Sequence, residues 1–215
     1  MLVEIWSDVV CPWCYIGKRR WERGLAAFRE AHPEVEIQVA YRSFQLDPHA
    51  PQGPGLPVIE GYEKKFGGPE RAREIIDHVT NEAAGEGLEF DMDNAVRANT
   101  LLSHRLLVLA ELEGVQLELK ERLMRAYFVE GESLGVVDNL IRFAEEVGID
   151  AEQARAWLSG DAGKAEVLSH LEFAGQAGIT SVPTFVFDRQ AGVPGAQPAE
   201  VFTQVLEQLS GVTTD

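Results

Sequence analysis

Strand-forming patterns occur at the two ends of this chain of 215 residues, and the long stretch between them carries helical periods alone. At the start, Leu2-Val3-Glu4-Ile5-Trp6 is β-branched and aromatic and closes at Ser7-Asp8, as a short strand does. From Pro12 to about Ala31 the chain reads as a helix: Trp21, Leu25 and Phe28 fall at i, i+4 and i+7, and Pro12 suits a first turn. Val35, Ile37, Val39 and Tyr41 then alternate with Glu36, Gln38, Ala40 and Arg42, the two-residue period of a second strand. The Pro/Gly cluster from Pro48 to Pro57 continues neither element. Beyond it the helical periods break at Gly67-Gly68, Gly85-Glu86-Gly87, Glu113-Gly114, Gly131 and Gly148. Strand character returns at Thr184-Phe185-Val186-Phe187-Asp188, an amphipathic helix runs from about Ala199 to Leu209, and Gly211 to Asp215 is expected to fray.

The economical reading is one α/β domain assembled from both ends of the chain, with a helical domain inserted into it. The expected division is residues 1–48 and 163–215 for the α/β part and 49–162 for the insertion. Hydrophobic residues at 45% and charged residues at 25% are ordinary for a globular protein and exclude disorder and collagen-like repeats. With 19 Lys and Arg against 35 Asp and Glu, the formal charge of −16 repels phosphate backbones and anionic lipid, so neither nucleic acid nor a membrane surface is an expected partner. No stretch approaches the roughly 20 apolar residues that span a bilayer. Glu4 and Asp8 interrupt the first apolar run, so it does not read as a leader peptide, and the protein is expected in the cytoplasm.

Its two cysteines sit together as Cys11-Pro12-Trp13-Cys14. Two are too few for a disulfide-stapled secreted scaffold, and in a reducing compartment this spacing points to redox or metal chemistry. Zinc would need two further ligands at close spacing, whereas His32, His49, His78, His104 and His170 are scattered singly, so no metal is expected. Cys11 falls between a strand and a helix start, where free backbone N–H groups and the helix dipole favour a thiolate and lower its pKa. Cys14 lies one turn on, within reach of a mixed disulfide formed on Cys11. A redox-sensing or metal-binding module is the non-enzymatic alternative.

Several blocks in order resemble the thioredoxin-fold DsbA proteins, most closely their cytosolic FrnE-like branch. They are Ser7 to Lys18 around the cysteines, Phe44-Gln45-Leu46-Asp47-Pro48, Asn99 to Arg105, Ala126-Tyr127-Phe128, Gly178 to Phe185, and Gly195-Ala196-Gln197-Pro198. The resemblance implies a thioredoxin-like fold interrupted by an all-α insertion domain. It implies a thiol–disulfide oxidoreductase, a disulfide reductase or isomerase, with Cys11 as nucleophile and Cys14 resolving. It also implies a cis Val182-Pro183 bond, with Pro183 shaping the substrate groove beside the cysteines and the Val182 backbone free to pair with a bound thiol. Pro12 and Trp13 join Val182 as candidate substrate contacts, and Trp13 is expected to be exposed beside the nucleophile. Periplasmic DsbA has a histidine where this chain has Trp13. An indole cannot carry the charge that stabilises a thiolate, so a couple less oxidising than DsbA's roughly −120 mV is expected.

A sister group with the same insertion, the kappa-class glutathione transferases and 2-hydroxychromene-2-carboxylate isomerases, has serine at the first active-site position and binds glutathione. Cys11 favours redox exchange over that alternative, a glutathione-dependent isomerase or transferase. Glutathione remains a candidate co-substrate, with the Val182 backbone and Gly195-Ala196 as its candidate site. No tightly bound cofactor is expected; the expected partners are protein or small-molecule thiols and disulfides, and a homodimer is open. If Asn99 to Arg105 is helical, Asn99 and Ser103, and Thr100 and His104, lie a turn apart and can face the cleft over Cys11, which makes Asn99 and His104 candidate substrate contacts. General acid/base work by His104 is conceivable. The plainer expectation is that His104 and Arg105 hydrogen-bond across the domain interface. Lys18, Arg19 and Arg20 read as the solvated face of the first helix, and Trp6, Tyr15, Trp21, Tyr41 and Phe44 mostly as core.

Overall fold

The computed structural model of the chain describes residues 1–212. Four strands form one sheet: β1 (Leu2–Ser7), β2 (Gln38–Ser43), β5 (Thr184–Phe187) and β6 (Ala191–Pro194), in the order β2-β1-β5-β6. β1 runs parallel to β2, with Leu2 opposite Gln38, and antiparallel to β5, with Val3 opposite Phe187. The two ends of the chain therefore meet at β1, an interior strand. Helix α1 (Pro12–Ala31) makes the right-sized crossover between the parallel pair. Between β2 and β5 lie a two-residue ladder, β3 (Leu56–Pro57) with β4 (Val96–Arg97), and seven helices: α2 (Val58–Phe66), α3 (Pro69–Gly85), α4 (Leu101–Leu112), α5 (Gln116–Phe128), α6 (Val137–Glu146), α7 (Ala151–Ser159) and α8 (Lys164–Gln176). A last helix, α9 (Ala199–Ser210), follows β6. This is a mixed α/β, thioredoxin-like fold interrupted by helices.

Alternation along β1 gives the sheet two buried faces. Val3 and Ile5 point with Phe185 and Phe187 towards α1 and α9, where Trp21, Leu25, Phe28, Phe202 and Leu206 close one core. The two helices touch backbone to side chain at Gly24: a Cβ there would stand 2.5 Å from the Ala199 carbonyl oxygen and 2.9 Å from Phe202 Cβ. Trp6 points the other way, stacking on Phe173 of α8 at 5.0 Å and donating from its indole to the His170 carbonyl. The edge of β2 is capped by a side chain, since Gln116 of α5 accepts from the Tyr41 N–H at 2.7 Å and donates to the Tyr41 carbonyl at 3.1 Å. An edge strand's unpaired backbone is thereby satisfied without another strand.

Lys18, Arg19 and Arg20 do not form a solvated face. Lys18 is buried and donates to Glu22 and Glu121, Arg19 pairs with Glu121 and Glu22, and Arg20 reaches Glu82, Glu86 and the Ala196 carbonyl. Their spacing is that of a polar helix face, but this face is covered by α5 and α3, whose acids neutralise it. The β3–β4 ladder and β6 were not expected either. A two-residue ladder carries no period, and Ala-Gly-Val-Pro is a strand only because β5 pairs with it. Of the terminal stretch expected to fray, Val212 packs against the core, and residues 213–215 lie outside the described ones.

Candidate active site

Cys11 is the N-cap of α1, with Pro12 in its first turn, and the chain reaches it from β1 through a turn in which the Cys11 N–H bonds the Asp8 carbonyl. The Cys14 and Tyr15 N–H groups close back onto the Cys11 carbonyl, so the second cysteine lies one turn along the helix. Both thiols are free and only 4% and 2% exposed. The Cys11 thiol donates to the Val182 carbonyl at 3.6 Å, and the Val182-Pro183 peptide is cis. Pro183 can lie this close to α1 because residue 17 is glycine: a Cβ there would meet Pro183 Cγ at 2.9 Å and Ala196 at 3.3 Å. The Gly195 N–H bonds the Pro183 carbonyl, which brings Gly195-Ala196 to the same place.

A family model described as a DSBA-like thioredoxin domain matches residues 2–207. The chain belongs to the DSBA-like thioredoxin domain family. This DSBA-like chain is 41% identical to a probable DsbA oxidoreductase from Streptomyces coelicolor, whose crystal structure superposes with a TM-score of 0.90 over 100% of this chain and 92% of that one. It is 27% identical to the uncharacterized protein YwbO of Bacillus subtilis over 95% of this chain and 94% of that protein. It shares its fold with a cytosolic disulfide reductase, DsbM, from Pseudomonas aeruginosa, solved with GSH, at 20% identity and a TM-score of 0.69 over 98% of this chain and 100% of that one.

Within the DSBA-like frame the two buried sulfurs influence each other's ionisation. Their mutual hydrogen bond, burial and the nearby Asp8 charge push the Cys11 thiol up. Burial pushes Cys14 up as well, but the hydrogen bond from Cys11 and the Lys120 ammonium outweigh it, and Cys14 lies below the ordinary thiol range. In the dithiol these effects outweigh the pull of the helix start on Cys11.

Trp13 is half-buried rather than exposed, its ring 5.8 Å from that of His78 on α3. His104 and Asn99 turn inward. His104 Nε2 lies 3.0 Å from Asp8 Oδ1, and because Asp8 is held below the usual carboxylate range it is ionised, so the ring nitrogen donates. Asn99 accepts from the Leu101 N–H and donates to the Pro48 carbonyl, tying α4 to the loop after β2. Neither residue lines the cavity of about 530 Å³ beside Pro12, whose walls include Val10, Val58, Tyr62, Phe66 and Tyr127. Arg105 does not cross to the sheet at all; it grips the carbonyls of Trp157, Gly160 and Ala162 at the end of α7. Among the described residues no three His, Cys, Asp or Glu side chains gather as a metal site, and no helix is long and apolar enough to cross a membrane.

Two buried charges beside the cysteines escaped the sequence reading. Asp8 stood out as the close of the first strand and an interruption of its apolar run, not as a buried charge. Lys120 had a visible signal, since it falls on the buried stripe of α5 formed by Gln116, Leu119, Leu123, Met124 and Tyr127.

Proposed function

We propose that this DSBA-like protein is a cytoplasmic thiol–disulfide oxidoreductase of the FrnE-like kind, a disulfide reductase or isomerase that cycles Cys11 and Cys14 between dithiol and disulfide. The observation that carries the reading is the Cys11 sulfur, set at the start of α1 against the Val182 carbonyl with Cys14 one turn behind it. Cys11, at the start of α1, gives up its proton as substrate arrives, and the Cys11 thiolate attacks one sulfur of the substrate disulfide. The substrate S–S bond breaks, a mixed disulfide forms, and the first substrate sulfur leaves as a thiolate that takes a proton from solvent. Cys14 then attacks Cys11 Sγ, closing the Cys11–Cys14 bond and releasing the second substrate thiol, so the substrate has gained the two electrons the pair has lost. Pro183 and Val182 form the wall along which substrate lies, and Pro12 and Trp13 flank its entry.

A thiol donor returns the pair to the dithiol. Glutathione is the donor we favour; the reading is supported by the fold shared with a reductase solved with GSH. The test is the reduction potential of the pair, measured in glutathione redox buffers with thiol trapping and with insulin reduction run alongside. A reversible two-electron couple near or below about −270 mV with insulin turnover is expected for a reductase, and one nearer −200 mV for an isomerase. Cys14→Ser should halt turnover at a mixed disulfide on Cys11. No reversible disulfide, or full activity in Cys14→Ser, would overturn the reading in favour of a glutathione-dependent isomerase or transferase.

A further inference from the structure

The cavity of about 530 Å³ beside Pro12 is walled by the neighbours of Cys11 on either side, Val10 and Pro12, and by rings from the inserted helices, Tyr62 and Phe66 of α2 and Tyr127 of α5. A space of that size suits a small molecule rather than a single side chain. The Tyr62 and Phe66 ring centroids stand 5.4 Å apart, and aromatic walls of this kind favour a flat, apolar guest. At the rim are Leu46 and Leu56, 41% and 49% exposed, which leave the mouth of the cavity apolar as well.

Polar chemistry in this space comes from hydroxyls without a protein partner. Tyr127 is only 2% exposed, and among the described residues no hydrogen bond reaches its hydroxyl or that of the half-buried Tyr62. The Tyr127 oxygen is not among the atoms sealed into protein, so the cavity is what it meets. Burial pushes Tyr62 up to about 12 and Tyr127 well above the ordinary phenol range, and the Cys11 charge adds to both, so both keep their protons near neutral pH and donate. A buried donor left without an acceptor is costly, so a guest that brings one supplies what the protein lacks. Access favours a small guest too. Cys11 is almost wholly covered and Trp13 is packed on His78 of α3. A protein disulfide must bring the chain on both sides of each cysteine past this cover; a small disulfide brings none.

We propose that this cavity selects small aromatic disulfides that carry a hydrogen-bond acceptor, the ring lying against Tyr62, Phe66 and Tyr127 and the acceptor taking a hydrogen bond from the Tyr127 hydroxyl. The inference rests on the disulfide cycle above and names the substrate class of that site. With one half of the substrate in the cavity, the Cys11 thiolate bonds to one substrate sulfur, the S–S bond breaks, and the other sulfur leaves as an arylthiolate that takes a proton from solvent. Cys14 then closes the Cys11–Cys14 bond and frees the second arylthiol, so the substrate gains the two electrons that the pair loses. An aromatic ring on the departing sulfur lowers the pKa of its thiol and speeds that departure.

The probe is dipyridyl disulfide, whose flat rings each carry a nitrogen acceptor, set against hydroxyethyl disulfide, which has no ring. Both are reacted with the reduced protein in single turnover, followed as loss of free protein thiols in quenched samples. Leu56→Trp fills the cavity from its exposed rim and should lower the aromatic rate relative to the aliphatic one by at least about tenfold. Tyr127→Phe removes one oxygen and should lower the same ratio by about 3–10-fold, the usual worth of one hydrogen bond. A ratio unmoved in either variant would overturn the proposal. So would an equal loss of insulin reduction in Leu56→Trp, which would mean that the cavity takes a protein side chain. Binding is measured apart from the chemistry with dipyridylethane, in which two carbons replace the sulfurs, by calorimetry on the reduced parent protein. Binding that Tyr127→Phe weakens by the same factor is expected, and no binding would overturn the proposal. This ligand has no sulfur to exchange, so failure of the redox cycle and failure of the cavity as a recognition site are told apart.

Discussion

Asp8 shows how one buried carboxylate can hold this molecule together. Oδ1 accepts from His104 on α4 at 3.0 Å and Oδ2 from the Leu46 N–H at 2.9 Å, so the turn carrying the cysteines is fastened both to the inserted helices and to the loop after β2. Burial alone would raise its pKa, but these bonds and the nearby cations leave it depressed. A depressed folded value means stability that is complete above the ordinary carboxylate range and lost as pH falls through the folded pKa. Asp8→Ala strands the His104 ring and should cost about 3–5 kcal/mol in urea unfolding at neutral pH. Glu121 behaves alike for a different reason. Burial raises it, yet Arg19, Lys18 and the Tyr15 hydroxyl bring it down to about 2, so its contribution fades between its ordinary value of 4.5 and about pH 2. Glu121→Gln should accordingly flatten the fall of thermal midpoint over that window while changing it little further down. Both acids were plain in the sequence as letters, but what makes them matter is a partner about a hundred positions away, which no local period reports.

At the scale of elements, α1 is where legibility was best and also where it stopped. Trp21, Leu25 and Phe28 announce the face that meets the sheet, and Pro12 announces the start; both are local signals and both hold. The opposite face, with Lys18 to Arg20, looked like any solvated stripe because the acids that cover it come from α3 and α5. Likewise β1, β2 and β5 were readable from their alternation or β-branched content, whereas β6 exists through pairing with β5 and had nothing of its own to show. The glycines of α1 separate packing from chemistry. Gly24→Ala places a Cβ 2.5 Å from the Ala199 oxygen, and Gly17→Ala places one 2.9 Å from Pro183. Each should destabilise by about 1–3 kcal/mol in urea unfolding. Only Gly17→Ala pushes on the wall facing Cys11, so it alone should slow disulfide exchange in the folded protein, measured as the single-turnover rate with a model disulfide.

For the molecule as a whole, the inserted helices put the cysteines under cover. With Cys11 4% exposed and Trp13 packed on His78 of α3, a reagent must enter beside Pro12 or wait for the cover to part. N-ethylmaleimide should therefore modify native Cys11 much faster than a polymer-linked maleimide does, and His78→Ala should narrow the gap, as a gel-shift time course would show. Equal rates for the two reagents in the parent protein would mean that the cover stands open in solution.

The central place of β1 also matters while the chain is being made. Its partner β5 begins at Thr184, and Ser7 ends β1, so 184 − 7 = 177 positions separate them. At about 5–20 residues per second, the ribosome leaves that side of β1 unpaired for roughly 10–35 s. Throughout that interval Cys11 and Cys14 are already translated, and neither Val182 nor the closing strand exists to shield them. A nascent chain of this design must keep a reactive dithiol and an open strand edge harmless until its final sixth emerges, and a strongly acidic body that repels its own copies is well suited to that wait.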